Sequence, residues 1–389
     1  MIISRIQMDE KLRRAVPLKK GIYLVDPVRL RVLRIFLLKE RLFFTLLTLL
    51  FIVAGAIAPY PSVAMWAGFL FAGYSAIAND SIQTIGTFLA SNSKRPWWLL
   101  WLFIGGIFIA TITYGWFVNA GDVSYNRLAA KGFSEAPTEF EFLQLAAPLI
   151  LLLLTRLRMP VSTTFLCLSA YANSWGGITD VLSKSLLGYV IAFVAALVVW
   201  FVLSKAIKKL TTGKPHPWWM PVQWIISGWL WSVWLMQDGA NIAVTLPRAL
   251  DVWQLVFFLC YVFFGLGVLF YLRGDKIQGI VTKKSQVRDV RGATLIDFTY
   301  VIILFIFQNV SNVPMSTTWV FLGLLGGREL AMSIASHYKT GRKTSKTLRL
   351  IRRDAVNALI GLVISILVAL VVNKEVRHEV FLYFSAWNS

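Results

Sequence analysis

Two short stretches place a carboxylate, a carboxamide and a hydroxyl at matching intervals inside apolar sequence. They read ANDSIQTIGT over residues 78–87 and QDGANIAVT over residues 237–245. Aligned on their acids they share the pattern [NQ]-D-x-x-[NQ]-x-x-x-T, filled by Asn79, Asp80, Gln83 and Thr87 in one copy and by Gln237, Asp238, Asn241 and Thr245 in the other. On a helix, positions i, i+3 and i+7 share one face. Each copy therefore offers oxygen ligands of the kind hard cations such as sodium prefer; helices broken near Gly86 and Gly239 would instead let backbone carbonyls join them. A second pair, RMPVSTTFL around Pro160 and NVPMSTTWV around Pro314, sets a proline ahead of Ser162, Thr163 and Thr164 and of Ser316, Thr317 and Thr318. Proline suits the first turn of a helix, and Ser or Thr beside it caps that turn or faces a ligand. Free N–H groups and the positive end of a helix dipole favour an anion. Six hydroxyls at two such starts suit a tetrahedral oxyanion without any arginine, although one S-T-T run alone is more often helix packing or back-bonding to a carbonyl.

These groups need elements that hold them inside an apolar medium. The chain has 389 residues, 57% of them hydrophobic and 15% charged, and a mean hydropathy of +0.66. A polytopic, all-α membrane protein is expected, since about 20 apolar residues span a bilayer as helix. Eleven apolar segments are legible, at roughly 42–60, 63–90, 96–118, 141–157, 160–176, 185–206, 217–246, 250–272, 294–312, 314–337 and 354–373. The net charge of +20 does not point to nucleic acid, because the basic residues cluster in the connections between segments. Cys167 and Cys260 have neither metal-ligand spacing nor a disulfide framework around them. Residues 1–41 lack the plan of a cleaved signal peptide and are expected to remain. Arg29, Arg31, Arg34 and Lys39 among aliphatic residues suit an interfacial helix on an anionic leaflet, or a basic lead-in that sets topology.

Basic clusters at residues 1–41, Lys205–Lys214, Arg273–Arg291 and Lys339–Arg353 alternate with an acidic loop near 119–140. With the N-terminus in the cytoplasm and a crossing at every segment, all the basic clusters fall inside. Asp80 precedes Ser162 by 82 positions and Asp238 precedes Ser316 by 78, so segments one to five and six to ten form matching blocks. Five crossings is an odd number, which turns the second block upside down, as in inverted-repeat transporters. The expected organisation is a basic segment over 1–41, a first membrane repeat over 42–184, an inverted repeat over 185–337, and a basic loop, one extra helix and a tail over 338–389. Broken helices are expected near the midplane.

On these motifs the chain resembles the PiT-type inorganic phosphate transporters of the phosphate/sulfate permease superfamily, whose signature is a duplicated G-A-N-D-V-A-N motif with P-V-S-T-T stretches. Ala78, Asn79, Asp80, Ile85 and Gly86 match in the first half, with Gln83 where the family has its second Asn. Asp238, Ala240 and Asn241 match in the second, with Gln237 in place of Asn. Pro160, Ser162, Thr163 and Thr164, and Pro314, Ser316, Thr317 and Thr318, carry the other element. The resemblance covers about residues 63–337. It implies two inverted repeats, homodimers, and movement of phosphate with sodium or protons, a related branch carrying sulfate. It also implies that Asn79, Gln83, Gln237, Asn241 and the six Ser/Thr residues bind the substrate. Asp80, Thr87, Asp238 and Thr245 are the residues expected to take sodium.

The expected mechanism is alternating access, with cations at Asp80 and Asp238 offsetting the cost of burying a multivalent anion. Proton-coupled sulfate uptake and an anion channel are the alternatives. An enzyme is not expected. His216, His337 and His378 lie at or beyond segment ends, and no HExxH, G-x-S-x-G, P-loop or Cys/His cluster occurs. No cofactor is expected beyond the coupling ion, and the location read from the compact polytopic chain is a bacterial inner membrane.

Overall fold

The computed structural model describes residues 40–129, 133–156, 161–202, 213–272, 289–310, 314–340 and 344–387. The basic segment up to residue 39, Pro160, and most of the basic connections at 205–214 and 273–291 lie outside the described residues. Among the described residues every regular element is helical: α1 Arg41–Ile57, α2 Pro61–Ser75, α3 Ser81–Ser91, α4 Trp97–Val118, α5 Phe142–Arg156, α6 Trp175–Val202, α7 Trp219–Ala243, α8 Val252–Tyr271, α9 Val290–Val310, α10 Thr317–Thr340, α11 Thr344–Val372 and α12 Lys374–Trp387. The chain divides into two compact units at Val53 and Ala54. All contacts described below lie within the second.

Among the described residues six stretches are long and apolar enough to cross a membrane: Pro61–Asp80, Trp97–Val118, Trp175–Val202, Val252–Tyr271, Val290–Val310 and Ile351–Val372. The helices α1 and α5 are apolar but shorter, at 17 and 15 residues. Outward faces are greasy; α6 alone exposes Leu187, Val190, Val194, Val198 and Phe201. An apolar surface of that extent is disfavoured in water and at home in lipid. These are the dimensions and surface of a polytopic membrane protein.

Local sequence explains the element ends. Pro61 opens α2, where its missing N–H costs nothing. At the start of α8, Asp251 accepts from the Gln254 N–H at 2.9 Å while the Gln254 side chain accepts from the Asp251 N–H at 3.0 Å, a reciprocal cap. Segment 160–176 differs from its expected form. Helix covers only residues 163–170, about 12 Å at 1.5 Å per residue, and residues 171–174 are not helical. Ser162, Thr163 and Thr164 thus stand at the start of a short element that cannot span by itself.

Packing brings the two halves together. The helix α4 lies against both α7 and α8, α7 against α9, α6 against α10, and α2 against α5. Tryptophans tie these contacts: half-buried Trp101 donates through Nε1 to the Phe263 carbonyl at 2.9 Å and buried Trp231 through Nε1 to the Ile104 carbonyl at 3.0 Å. The Trp-rich run that opens α7 therefore divides. Trp218 is exposed, whereas Trp231 and Trp234 are buried and stacked with ring centroids 4.8 Å apart.

Candidate functional site

Between α2 and α3 the helix passes through one π-helical turn, Ala76–Asp80, a local widening that proteins often place at functional sites. It ends on Asp80. Asn79 Nδ2 donates to Asp80 Oδ1 at 2.8 Å, and the Asn79 side-chain oxygen accepts from Gln83 at 3.3 Å and from Thr155 at 3.3 Å. In the second copy, on α7, the Asn241 amide donates to Asp238 Oδ1 and, at 3.2 Å, to Thr164 Oγ1. Asp80 and Asp238 are both buried and close enough for their charges to act on one another.

The S-T-T stretches converge on this pair. Thr163 and Thr318 hydroxyls approach Asp80, and Thr317 approaches Asp238. Each stretch begins with the same cap: Ser162 Oγ accepts from the Phe165 N–H and Ser316 Oγ from the Trp319 N–H, both at 3.2 Å. Two of the six hydroxyls are thus engaged in starting helices. Thr164 Oγ1 donates to the Met315 carbonyl at 3.2 Å, and the rings of Phe165 and Trp319 sit 5.2 Å apart. Matching positions of the two copies therefore touch. No family model, curated protein or solved structure matches this chain. The geometry stands by itself.

Several polar atoms in the cluster are buried without a hydrogen bond: Asp80 Oδ2, Asp238 Oδ2, Thr163 Oγ1 and Asn241 Oδ1. Each such group costs about 1–3 kcal/mol unless it finds a partner, so their concentration around two carboxylates marks a candidate place for a ligand. Three acceptor oxygens and a hydroxyl fit a hard cation, and the two helix starts, with Thr163, Thr317 and Thr318, fit an oxyanion beside it.

Three expected members sit elsewhere. Thr87 donates to Asp297 Oδ1 at 2.5 Å and does not join Asp80. Sharing a face seven residues along a helix still leaves about 10 Å of rise between two residues. Thr245 lies past the end of α7 and donates to the Met65 carbonyl at 3.0 Å. Gln237 points away from the acids, toward the Gln308 N–H at 3.2 Å and Arg127 Nη2 at 3.3 Å once its amide is oriented to satisfy both.

Asp297, not singled out by the motif reading, is buried on α9 with both oxygens bonded, the second to Ser227 Oγ at 2.6 Å. Its signal was available, since it is an acid inside the apolar run TLIDFTYVIILFIF. It joins α3, α7 and α9 through Thr87 and Ser227. Thr87→Val is expected to leave one buried carboxylate oxygen without its donor and to destabilise the protein by about 1–3 kcal/mol. Thermal unfolding in detergent reads this directly, and an unchanged melting temperature contradicts the role assigned to the bond.

Proposed function

We propose that this chain is a secondary active transporter that couples inward movement of a cation, sodium in the first instance, to uptake of inorganic phosphate. The observation that carries the reading is the convergence of both acidic motifs and both S-T-T stretches on one buried cluster whose carboxylate, hydroxyl and amide atoms remain unpaired. A multivalent anion cannot be buried beside two carboxylates unless positive charge accompanies it. Cations on Asp80 and Asp238 supply that charge, so neither ion binds well without the other. The fluxes are coupled for that reason.

The proposal includes two inverted five-segment repeats, over 42–184 and 185–337, with an eleventh segment after them. Support comes from equivalent elements meeting one another: Asp80 with Asp238, Phe165 with Trp319, and α4 with α8. Like parts meet where a two-fold axis runs, and rocking of the two halves about that axis exposes the cluster to each side in turn. A homodimer in a bacterial inner membrane with the N-terminus inside completes the picture, on the charge pattern and the family resemblance. One observation favours a second reading: two neighbouring carboxylates with an unpaired oxygen each can share a proton. Proton-coupled sulfate uptake follows if that is the charge carrier.

The test is uptake of labelled phosphate and labelled sulfate into proteoliposomes under an inward sodium gradient, an inward proton gradient, or neither. Concentrative phosphate uptake only with sodium is expected. Concentrative sulfate uptake driven by protons promotes the second reading, passive equilibration alone makes the protein a channel, and movement of neither anion removes the transport function.

A further inference from the structure

A cleft of about 260 Å³ opens between α6, α10 and α11. That is many times the roughly 10–15 Å³ needed to hold one water, and an apolar cavity of this kind stays dry and admits hydrocarbon. Leu186 of α6 and Leu359 of α11 line it, and they are 46% and 56% exposed on the greasy outer surface. The cleft therefore opens sideways, toward lipid. Its lining residues on α10 run from Trp319 to Glu329, a rise of about 15 Å along the axis. That depth is half of the roughly 30 Å hydrocarbon core of a bilayer, the thickness of one leaflet.

Charge decides which lipid suits it. Ile351, where the membrane-length part of α11 begins, lines the cleft together with Glu329. Arg352 stands three positions before Ala355 and seven before Leu359, both of which line the cleft, so it shares their face of the helix. Arg349 follows on that face, nearer the start of α11. Both arginines are exposed, and helical side chains lean toward the N-terminus, which on α11 is the polar end. Over residues 328–354 there are eight Lys/Arg against two acids, Glu329 and Asp354, so the carboxylate at this end of the cleft is outnumbered. Basic residues where a membrane helix meets the surface attract anionic lipid, and the arginine fork takes a phosphate through two parallel hydrogen bonds.

We infer that this cleft binds one anionic phospholipid, with an acyl chain between α6, α10 and α11 as far as Trp319 and the phosphate on Arg349 and Arg352. The inner end of the chain then touches the second S-T-T stretch. Ser316 Oγ accepts from the Trp319 N–H at 3.2 Å, and the Trp319 ring sits 5.2 Å from that of Phe165. The helix α11 also packs on the short helix that carries Phe165. The lipid thus supports the contact between the two S-T-T stretches. The site itself stands on the cleft and its charge, and only its effect on uptake rests on the transport reading.

The test uses the full-length protein, stripped of lipid in detergent. Its melting temperature is followed as phosphatidylglycerol or phosphatidylcholine with the same acyl chains is added, and retained lipid is counted by native mass spectrometry. Phosphatidylglycerol is expected to raise the wild-type melting temperature by about 2–4 °C or more, with one molecule retained, and phosphatidylcholine is expected to do neither. Ala355→Phe fills the cleft from an exposed position and should abolish the shift. Arg349→Gln combined with Arg352→Gln should reduce it by about half or more. Two controls should keep it: Val198→Phe on the exposed face of α6, and Lys94→Gln combined with Arg95→Gln in the exposed connection after α3. Equal stabilisation by both lipids, an undiminished shift in Ala355→Phe, or the same loss in both basic pairs overturns the inference. Should Ala355→Phe fail to fold, the comparison of the two basic pairs decides. In proteoliposomes, phosphate uptake should fall when phosphatidylcholine replaces phosphatidylglycerol, and Ala355→Phe should be poor in either lipid. Specific lipid binding by a protein that moves neither oxyanion upholds this site and removes the transport reading alone.

Discussion

Asp238→Asn, and separately Asp80→Asn, should reduce sodium-driven phosphate uptake by at least about 100-fold while making the unliganded protein more heat-stable. The two halves of this result have one cause. Asp80 and Asp238 are buried within reach of one another, each with an oxygen that makes no hydrogen bond. Without a bound cation, two like charges in a dry place repel and lack solvation. Asparagine keeps the shape and removes one charge, so the melting temperature without ligand rises. The site then lacks the charge proposed to hold the cation. Loss of one partner from a buried ion pair is worth about 3–5 kcal/mol, equivalent to more than 100-fold in an equilibrium constant. Stabilisation by added sodium should vanish with transport. A purely structural carboxylate behaves in the opposite way, and a variant that melts lower while retaining sodium-dependent uptake would defeat the assignment.

Many of the residues that the sequence singles out lie together in the structure, whereas the course of the backbone was less legible. Repetition made those residues stand out. Each acidic motif and each S-T-T stretch was legible because polar residues in apolar sequence are costly and the same expense occurs twice. The structure puts Asp80, Asp238, Asn79, Gln83, Asn241 and the S-T-T residues in one neighbourhood. Thr87 and Thr245 were placed by angular period alone, which gives the direction of a side chain and says nothing of its distance along the axis. Asp297 and Arg127 escaped for different reasons. Asp297 has no counterpart in a motif, and its partners come from positions 87 and 227, a proximity that only tertiary packing creates. Arg127 reads as a loop charge until the positive-φ turn at Tyr125 and Asn126 directs it inward. Segment 160–176 shows the limit of hydropathy, which records that residues are apolar and not whether their backbone continues as helix.

The interface that holds the second S-T-T stretch offers a test of the fold itself. The start of α10 is fixed to α6, with the Ser316 N–H donating to Ser185 Oγ at 2.8 Å and Gly188 lying under Val320. Two turns further on, Gly323 and Gly327 let the helices meet backbone to backbone. A Cβ at Gly323 would lie 3.1 Å from the Tyr189 carbonyl carbon, and one at Gly327 would lie 2.9 Å from the Phe193 carbonyl carbon and 3.1 Å from the Leu197 nitrogen. These neighbours are main chain and cannot rotate aside. In lipid, where apolar side chains gain nothing by leaving the solvent, such close approach of small residues is the main source of helix association. Gly327→Leu must therefore separate α6 from α10 or distort both, and is expected to cost about 3 kcal/mol or more. The expected readout is a large fall in melting temperature and in monodisperse protein recovered from detergent. Gly106→Ala on α4 is the matched control. No atom lies within 4 Å of its added Cβ, and exchange of a mid-helix glycine for alanine stabilises by roughly 0.5–1 kcal/mol. Opposite signs for these two glycine replacements follow from the packing alone. Equal effects would show that α6 and α10 do not meet at Gly327, and would unseat Ser316 and its neighbours from the position on which the proposed transport mechanism depends.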